Sequence, residues 1–499
     1  MQKAAILLLP FSRQVKMRFG VIAKYIGFSQ LLVSAFMLVS AAVSAYSGYD
    51  EGFGALICSS MLTGIFGLFP SIFVRRTGAL SKDESYYVVT GSWLFCILTG
   101  MLPYLMYLEG DFSLTDALFE SVSGFTTTGA SILRDIEALP QGLLFWRMST
   151  AWIGGIGIIA LFSLLIPAST GNDRALSGVE MSQIARGTTN MKSQSFARMT
   201  VLTYVVLTAA AIACLKLAGM RWFDAVTQAM SACSTCGFST RNLSIASFDS
   251  PVIEAILIVF MFLSSLRFVL LCLAYTRSGL KALTSSEVTR TFLFMAVGGT
   301  VIVMGGLVSD GSHGGILHCL RESAFQVVSI FTTTGFATAD TNTWPTVCMS
   351  VLVAGSLVCG CSGSTSGGIK VDRAIVGAKS LWRRVAKLHS PHAVKLVRVD
   401  GRTIADGAAE EALIFTICYF LLIAAGAILN SMAGMQIVES WTAAVASIGN
   451  VGPGLGSIGS MGNYADIPAL SKYVSMALML IGRLEIFPVL YVLSCRRRG

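Results

Sequence analysis

The chain has 499 residues, of which 54% are hydrophobic and 13% charged, with a formal net charge of +9 and a mean hydropathy of +0.71. Soluble globular proteins carry about a quarter charged residues, so this composition excludes an ordinary soluble enzyme. The positive balance does not mark a nucleic-acid binder either, because the basic residues fall on alternate loops between apolar runs and form no single patch.

In chain order, Lys3 and "AAILLLP" look like the start of a secretion signal, but no small-residue cleavage site follows and Arg13, Lys16, Arg18 and Lys24 come next. Residues 1–20 therefore read as a cytosolic extension, with a signal peptide as the lesser alternative. A membrane-spanning helix needs roughly 20 mostly apolar residues. Runs of this kind occupy 22–45, 55–73, 88–108, 143–167, 201–218, 253–273, 292–308, 412–429 and 473–493. The fold class is an all-α polytopic membrane protein; a β-barrel would show short alternating strands instead.

Basic clusters at 13–24, 75–82, 174–198, 277–290, 370–402 and 496–498 alternate with acidic loops at Asp50 and Glu51, from Glu109 to Glu120, and at Asp135 and Glu137. The positive-inside rule puts the first set, and with it both termini, in the cytosol. Of twelve cysteines, Cys233 with Cys236 and Cys359 with Cys361 have the spacing of metal-ligand pairs. No second pair or nearby histidine completes a four-ligand site, and His389 and His392 lie in a basic loop, so small buried cysteines are the better reading.

Four segments repeat: "SVSGFTTTGAS" (121–131), "MSACSTCGFST" (230–240), "VVSIFTTTGFA" (327–337) and "VASIGNVGPGL" (445–455). Their glycines, Gly129, Gly237, Gly335 and Gly452, are spaced by roughly a hundred residues, the length of one structural unit. Each copy follows an apolar span and a short amphipathic segment (114–122, 222–233, 324–331, 440–448), and a second apolar span follows each. The predicted plan is two extra helices (21–80) and then four helix–loop–helix units: 81–190, 191–285, 286–400 and 401–499. Four plain external turns would explain one such copy, but not four in register.

Irregular backbone at membrane depth must be buried in protein or line a water-filled cavity. Four such loops about one axis can point carbonyls inward and replace a cation's hydration shell. Glycine permits the turn this needs, and the C-terminal dipole of each short helix favours a cation at its end.

At these residues the chain resembles the Trk/Ktr/HKT superfamily of cation transporters. "TTTGA" and "TTTGF" look like a shortened potassium-channel filter, and the two extra N-terminal helices point to the TrkH type of potassium uptake subunit. "AWIGGIGIIAL" (151–161), "CGCSGSTSGGIKVDR" (359–373) and "IGRLEIFPVL" (481–490) match in order. The resemblance implies filter carbonyls from Thr127, Thr128 and Gly129; Thr235, Cys236 and Gly237; Thr333, Thr334 and Gly335; and Asn450, Val451 and Gly452. Gly129, where sodium-admitting relatives often carry serine, favours potassium, which is the only metal ion expected. The fourth copy, "GNVGPG", departs from the Thr-Thr-Gly pattern.

"GCSGSTSGGIK" (360–370) is not a phosphate-binding P-loop, because Lys370 is followed by Val371 and no strand precedes it. It reads as a break in an inner helix, between an apolar run at 347–358 and a helix resuming at 369–386. The resemblance implies a loop beneath the filter that gates the pore, with Gly360, Gly363, Ser364, Thr365, Gly367, Gly368 and Lys370 in it. It also implies that Arg483 faces the pore as a barrier to cations. Arg483 and Glu485 lie within an apolar run, where charges are functional candidates, and their spacing puts them on different helix faces. Arg267 stands where relatives commonly have an uncharged polar residue; it either adds to the barrier or snorkels to the interface.

The resemblance further implies a homodimer in the bacterial inner membrane, in contact with lipid. A separate cytosolic TrkA-type subunit with nucleotide-binding (RCK) domains would control opening. No nucleotide fingerprint or enzyme constellation appears in this chain, and neither cofactor nor nucleic acid is expected. The function expected is potassium uptake through a gated pore; transport coupled to protons or sodium is the alternative.

Overall fold

A computed structural model of the chain describes residues 17–74, 80–107, 112–157, 193–275, 279, 281–311, 314–390 and 396–494. The expectations placed on residues 1–16, 75–79, 158–192, 276–278, 495–499 and His392 fall outside the described residues. Among the described residues the structure is helical, with one small antiparallel hairpin in which Arg398–Val399 pairs with Arg402–Thr403.

Among the described residues, six helices are long and apolar enough to cross a membrane. Two are the predicted extra helices, Phe19–Tyr46 and Gly52–Phe73. The other four are the outer helices of the units: Lys82–Gly100, Ser193–Leu217, Glu287–Asp310 and Asp406–Met432. The extra helices meet through small residues: a Cβ on Gly67 would lie 2.7 Å from the Gly27 carbonyl oxygen. Ser34 Oγ donates to the Ser60 carbonyl at 2.8 Å, and Ser60 Oγ donates back to Ser34 at 2.9 Å. Close backbones and interhelical hydrogen bonds are how helices associate where lipid is as apolar as the side chains.

The short helices are Leu114–Phe125, Trp222–Ser234, Ile316–Phe331 and Ile437–Gly449. Their C-terminal halves are buried. The third begins well before the predicted 324: its first two turns are mostly exposed, with Cys319 their buried residue. The inner helices are Gln141–Ile156, Pro251–Ser264, Thr346–Val358 and Ala469–Arg483. Each opens on a proline: Pro140, Pro345 and Pro468 cap their helices and Pro251 lies in the first turn. Proline is suited to a helix start, where its missing N–H has no partner to lose.

All four inner helices stop at the level where the short helices end. Gly154 would place a Cβ 1.8 Å from the Phe125 carbonyl, Gly482 one 2.1 Å from the Ile448 carbonyl, and Gly355 one 1.8 Å from the Phe331 ring. The apolar runs 253–273 and 473–493 are therefore not single spans. The first breaks at Ser265–Arg267 before a short helix, Phe268–Leu273. The second bends by 108° between Ala469–Arg483 and Phe487–Ser494, with Glu485 and Ile486 in left-handed conformations. Broken backbone persists where other groups take the freed carbonyls.

Candidate functional site

Each short helix ends in the same way. Thr127, Thr235, Thr333 and Asn450 adopt φ of +54°, +54°, +60° and +51°. The N–H of each bonds three residues back, and the next N–H (of Thr128, Cys236, Thr334 and Val451) reaches five residues back, at 2.8–3.1 Å. This is the Schellman helix stop, usually made with glycine. A non-glycine left-handed residue costs on the order of 1 kcal/mol or more, and here four occur at equivalent positions. The turn spends its N–H groups on the helix and leaves its carbonyls facing away.

Two residues further on, Gly129, Gly237, Gly335 and Gly452 have φ of +79°, +88°, +77° and +97°. Their surroundings close a ring in chain order. A Cβ on Gly129 would lie 1.8 Å from the Cys236 oxygen, one on Gly237 2.0 Å from Thr334, one on Gly335 2.3 Å from Val451, and one on Gly452 2.6 Å from Thr128. Each glycine is thus pressed against the next unit's carbonyl, and unit four returns to unit one. The carbonyls of Thr127, Thr128, Thr235, Cys236, Thr333, Thr334, Asn450 and Val451 belong to residues that are at most 1% exposed. None of them accepts a hydrogen bond among the described residues. Buried carbonyls are normally paired, and these lie at the negative ends of four helices.

Behind the ring, Thr126 and Thr128 share a hydroxyl hydrogen bond of 2.8 Å, and Thr332 and Thr334 repeat it. The fourth copy differs where the sequence does: Asn450 Nδ2 donates to Thr128 Oγ1 at 3.0 Å and to the Met479 carbonyl at 2.9 Å. Asparagine keeps the left-handed backbone and adds a side-chain tie across the joint with unit one.

Beneath the ring lies the loop 359–370, between Thr346–Val358 and Val371–His389; the second helix begins two residues later than expected. The loop leaves and returns at one point, since Ile369 and Lys370 donate to the Leu357 and Val358 carbonyls at 3.1 and 2.7 Å, and Val371 donates to Gly360 at 3.0 Å. Gly367 N donates to Thr333 Oγ1 at 3.0 Å, and a Cβ there would lie 2.2 Å from the Gly449 oxygen. Thr365 Oγ1 donates to the Cys233 and Ser264 carbonyls, each at 3.1 Å. Cys361 N donates to Ser265 O at 2.9 Å, and Gly363 O accepts from Phe268 N at 3.2 Å. Ser364 Oγ stays within the loop, on the Cys361 carbonyl at 2.6 Å; Gly368 turns it with φ of +73°. The loop therefore fills the break in the second unit's inner helix.

Arg483 holds the same loop from the other side. Nη1 donates to the Thr365 carbonyl at 2.7 Å, and Nη2 donates to Gly154 and Gly155 at 2.6 and 2.8 Å. Glu485 turns away and pairs with Arg373 at 2.6 Å and Lys370 at 3.4 Å.

Arg267 does neither of the two things expected of it. It is buried between Asp372, a close ion pair, and Asp400, 2.9 Å from Nη1. Asp372 in turn accepts from Ser362 N at 2.6 Å, so Arg267 anchors the loop. A buried guanidinium requires carboxylates, and both lie far away in the chain. Glu120, counted in sequence with an external acidic loop, is instead fully buried and paired with Arg147. Arg147 was missed because its partner sits one helix earlier. Aligning the repeats is the signal that finds Glu120, since Gln228 and Gln326 hold the same offset from their glycines. Among the described residues no group of three or more His, Cys, Asp or Glu side chains is placed to hold a metal ion.

The sequence matches the family model TrkH, described as a cation transport protein, over residues 75–496. The chain belongs to the TrkH family. It is 33% identical over 448 residues to the Trk system potassium uptake protein TrkH of Halomonas elongata, covering 90% of this chain and 92% of that one. It is 30% identical over 483 residues to the protein of the same name from Escherichia coli K12, covering 96% and 99%. The crystal structure of the potassium transporter TrkH from Vibrio parahaemolyticus superposes with a TM-score of 0.86 at 29% identity, covering 96% of this chain and 99% of that one. This TrkH-family chain thus has the helical membrane fold expected from its sequence.

Proposed function

We propose that the chain carries potassium into the cell through a pore whose filter is the four-fold ring. The observation that carries this reading is the closed ring of buried carbonyls that accept no hydrogen bond among the described residues, at the C-terminal ends of four helices. Thr127, Thr128 and Gly129 with Thr235, Cys236 and Gly237, Thr333, Thr334 and Gly335, and Asn450 and Val451 would supply the oxygens that replace water around the ion, and Gly452 would add a carbonyl that also accepts from Tyr464 Oη. The relatives named as potassium uptake proteins support potassium as the cargo.

In this reading the loop 359–370 is the gate. It hangs from Thr333 directly below the ring and is held by Arg483, Arg267 and Asp372. Opening requires the loop to leave the Thr365–Arg483 contact. The positive charge of Arg483 beneath the filter would oppose a cation until it moves. Passive flux is favoured over coupling, because the buried carboxylates Glu84, Glu120, Asp224, Glu254 and Asp372 are all ion-paired and so poorly placed to relay protons. The setting is the bacterial cytoplasmic membrane, with a homodimeric assembly and a cytosolic TrkA-type nucleotide-binding partner that acts on the basic face near 370–402.

The test is potassium and sodium flux in liposomes under an imposed voltage, without a proton gradient, in the wild type and in Gly129→Ser. Voltage-driven potassium flux with altered selectivity in the variant supports the reading. Flux that appears only with a proton or sodium gradient overturns it in favour of a coupled transporter.

A further inference from the structure

At one offset before the ring glycines stand Glu120, Gln228, Gln326 and Ala443. In three units this side chain braces the segment that leaves the filter. Gln228 Nε2 donates to Ser239 Oγ at 2.9 Å, and Gln326 Nε2 donates to the Ala339 carbonyl at 3.1 Å. Glu120 accepts from Ile132 N at 3.1 Å and from Ser131 Oγ at 3.2 Å. Unit four lacks the group and is braced differently: Tyr464 Oη donates to the Gly452 carbonyl at 2.9 Å, and Leu455 N donates to Thr442 Oγ1 at 3.1 Å.

Only the first brace is charged, and its charged partner crosses to another unit. Arg147, 1% exposed, pairs with Glu120. Its Nη1 donates to the Ser239 carbonyl at 2.9 Å, and its guanidinium lies 3.6 Å above the Phe238 ring. Ser239 and Phe238 directly follow Gly237, whereas Glu120 grips the residues just beyond Gly129. One buried ion pair therefore clamps the exit strands of units one and two. The joint where Gly129 meets the Cys236 carbonyl lies between them.

We infer that Glu120 and Arg147 are positioning residues for ion selection: together they fix the spacing of the ring at the joint between the first and second units. This inference rests on the filter reading above. A ring of carbonyls prefers one cation over a smaller one to the extent that it keeps its geometry and coordination number. A buried pair resists displacement because separating it leaves a desolvated charge. Lysine cannot replace the fork of Arg147, which serves a carboxylate and a carbonyl at once.

The experiment uses the purified full chain. Two quantities are read for each variant: the potassium-to-sodium flux ratio in liposomes, and the ratio of NaCl to KCl concentrations giving half-maximal thermal stabilisation, which reports binding even when the pore stays closed. Glu120→Gln is isosteric and repeats what units two and three carry, so it is the variant least exposed to misfolding; Arg147→Lys and Arg147→Met complete the series. The expected result is a fall in both ratios of about tenfold in Glu120→Gln and Arg147→Met, with Arg147→Lys intermediate. Arg134→Ala, which removes an exposed pair with Asp466, should leave both ratios unchanged. Ratios within about twofold of wild type in Glu120→Gln and Arg147→Met, while Gly129→Ser shifts them, overturn this inference alone. An equal fall in Arg134→Ala also overturns it. Unchanged ratios in Gly129→Ser as well would overturn the filter reading itself.

Discussion

Arg483 Nη1 donates to the Thr365 carbonyl at 2.7 Å, tying the bend of the last inner helix to the loop beneath the ring. The other arm of the same guanidinium reaches Gly154 and Gly155 of the first unit. One side chain of unit four thereby joins the loop of unit three to unit one, under the point where an ion would leave the ring. Arg483→Ala removes three hydrogen bonds to carbonyls, each of the charge-assisted kind worth about 1.5–3 kcal/mol. Potassium flux in liposomes without any partner should rise by about tenfold or more, the change that 1.4 kcal/mol off the barrier produces. Flux at or below the wild-type level would contradict the gating role.

Arg267 anchors the opposite side of the loop through Asp372 and Ser362. Arg267→Gln leaves Asp372 buried without its ion-pair partner, a loss of about 3–5 kcal/mol. The variant should melt at a lower temperature and leak potassium. Adding Asp372→Asn should restore much of the stability but not the tight closure, because Ser362 then bonds a neutral group. Thermal melts and basal flux on the two variants separate the effects.

Gly237 has φ of +88° and would place a Cβ 2.0 Å from the Thr334 oxygen. Gly237→Ala must therefore shift backbone of the third unit as well as strain its own. Potassium-dependent thermal stabilisation should be lost or weakened by at least about tenfold, with a smaller change for sodium. A variant that binds potassium like the wild type would show that the ring tolerates expansion.

Gly67 meets the Gly27 carbonyl in the extra helix pair, away from the ring. Gly67→Val should lower the melting temperature by forcing apart helices that a small-residue contact holds. The potassium-to-sodium ratio in the surviving protein should not change. A changed ratio would mean that the extra helices shape the filter.

The repeats were legible because they are local. An apolar span, a short amphipathic helix and a Thr/Gly turn each leave a periodic or compositional mark, and four marks in register predict four equivalent units. The ring glycines Gly129, Gly237, Gly335 and Gly452 were legible for the same reason, whereas the residues before them came from the family resemblance. The breaks at Ser265–Arg267 and Leu484–Ile486 were not legible, since hydropathy averages across a bend. Hydrogen bonds from a distant loop hold the first break, and Glu485 at the second pairs with the distant Arg373 and Lys370.

By itself the sequence determined the fold class, the count and order of the units, and the glycines able to line a ring, because local hydrophobicity and glycine stereochemistry act over a few residues. Only the tertiary structure decided which charges meet. Arg267 with Asp372 and Asp400, Glu120 with Arg147, Glu485 with Arg373, and Arg483 on the carbonyls of Thr365, Gly154 and Gly155 join residues from different parts of the chain. A buried charge must find a partner wherever packing brings one, and nothing in the local sequence says where that is.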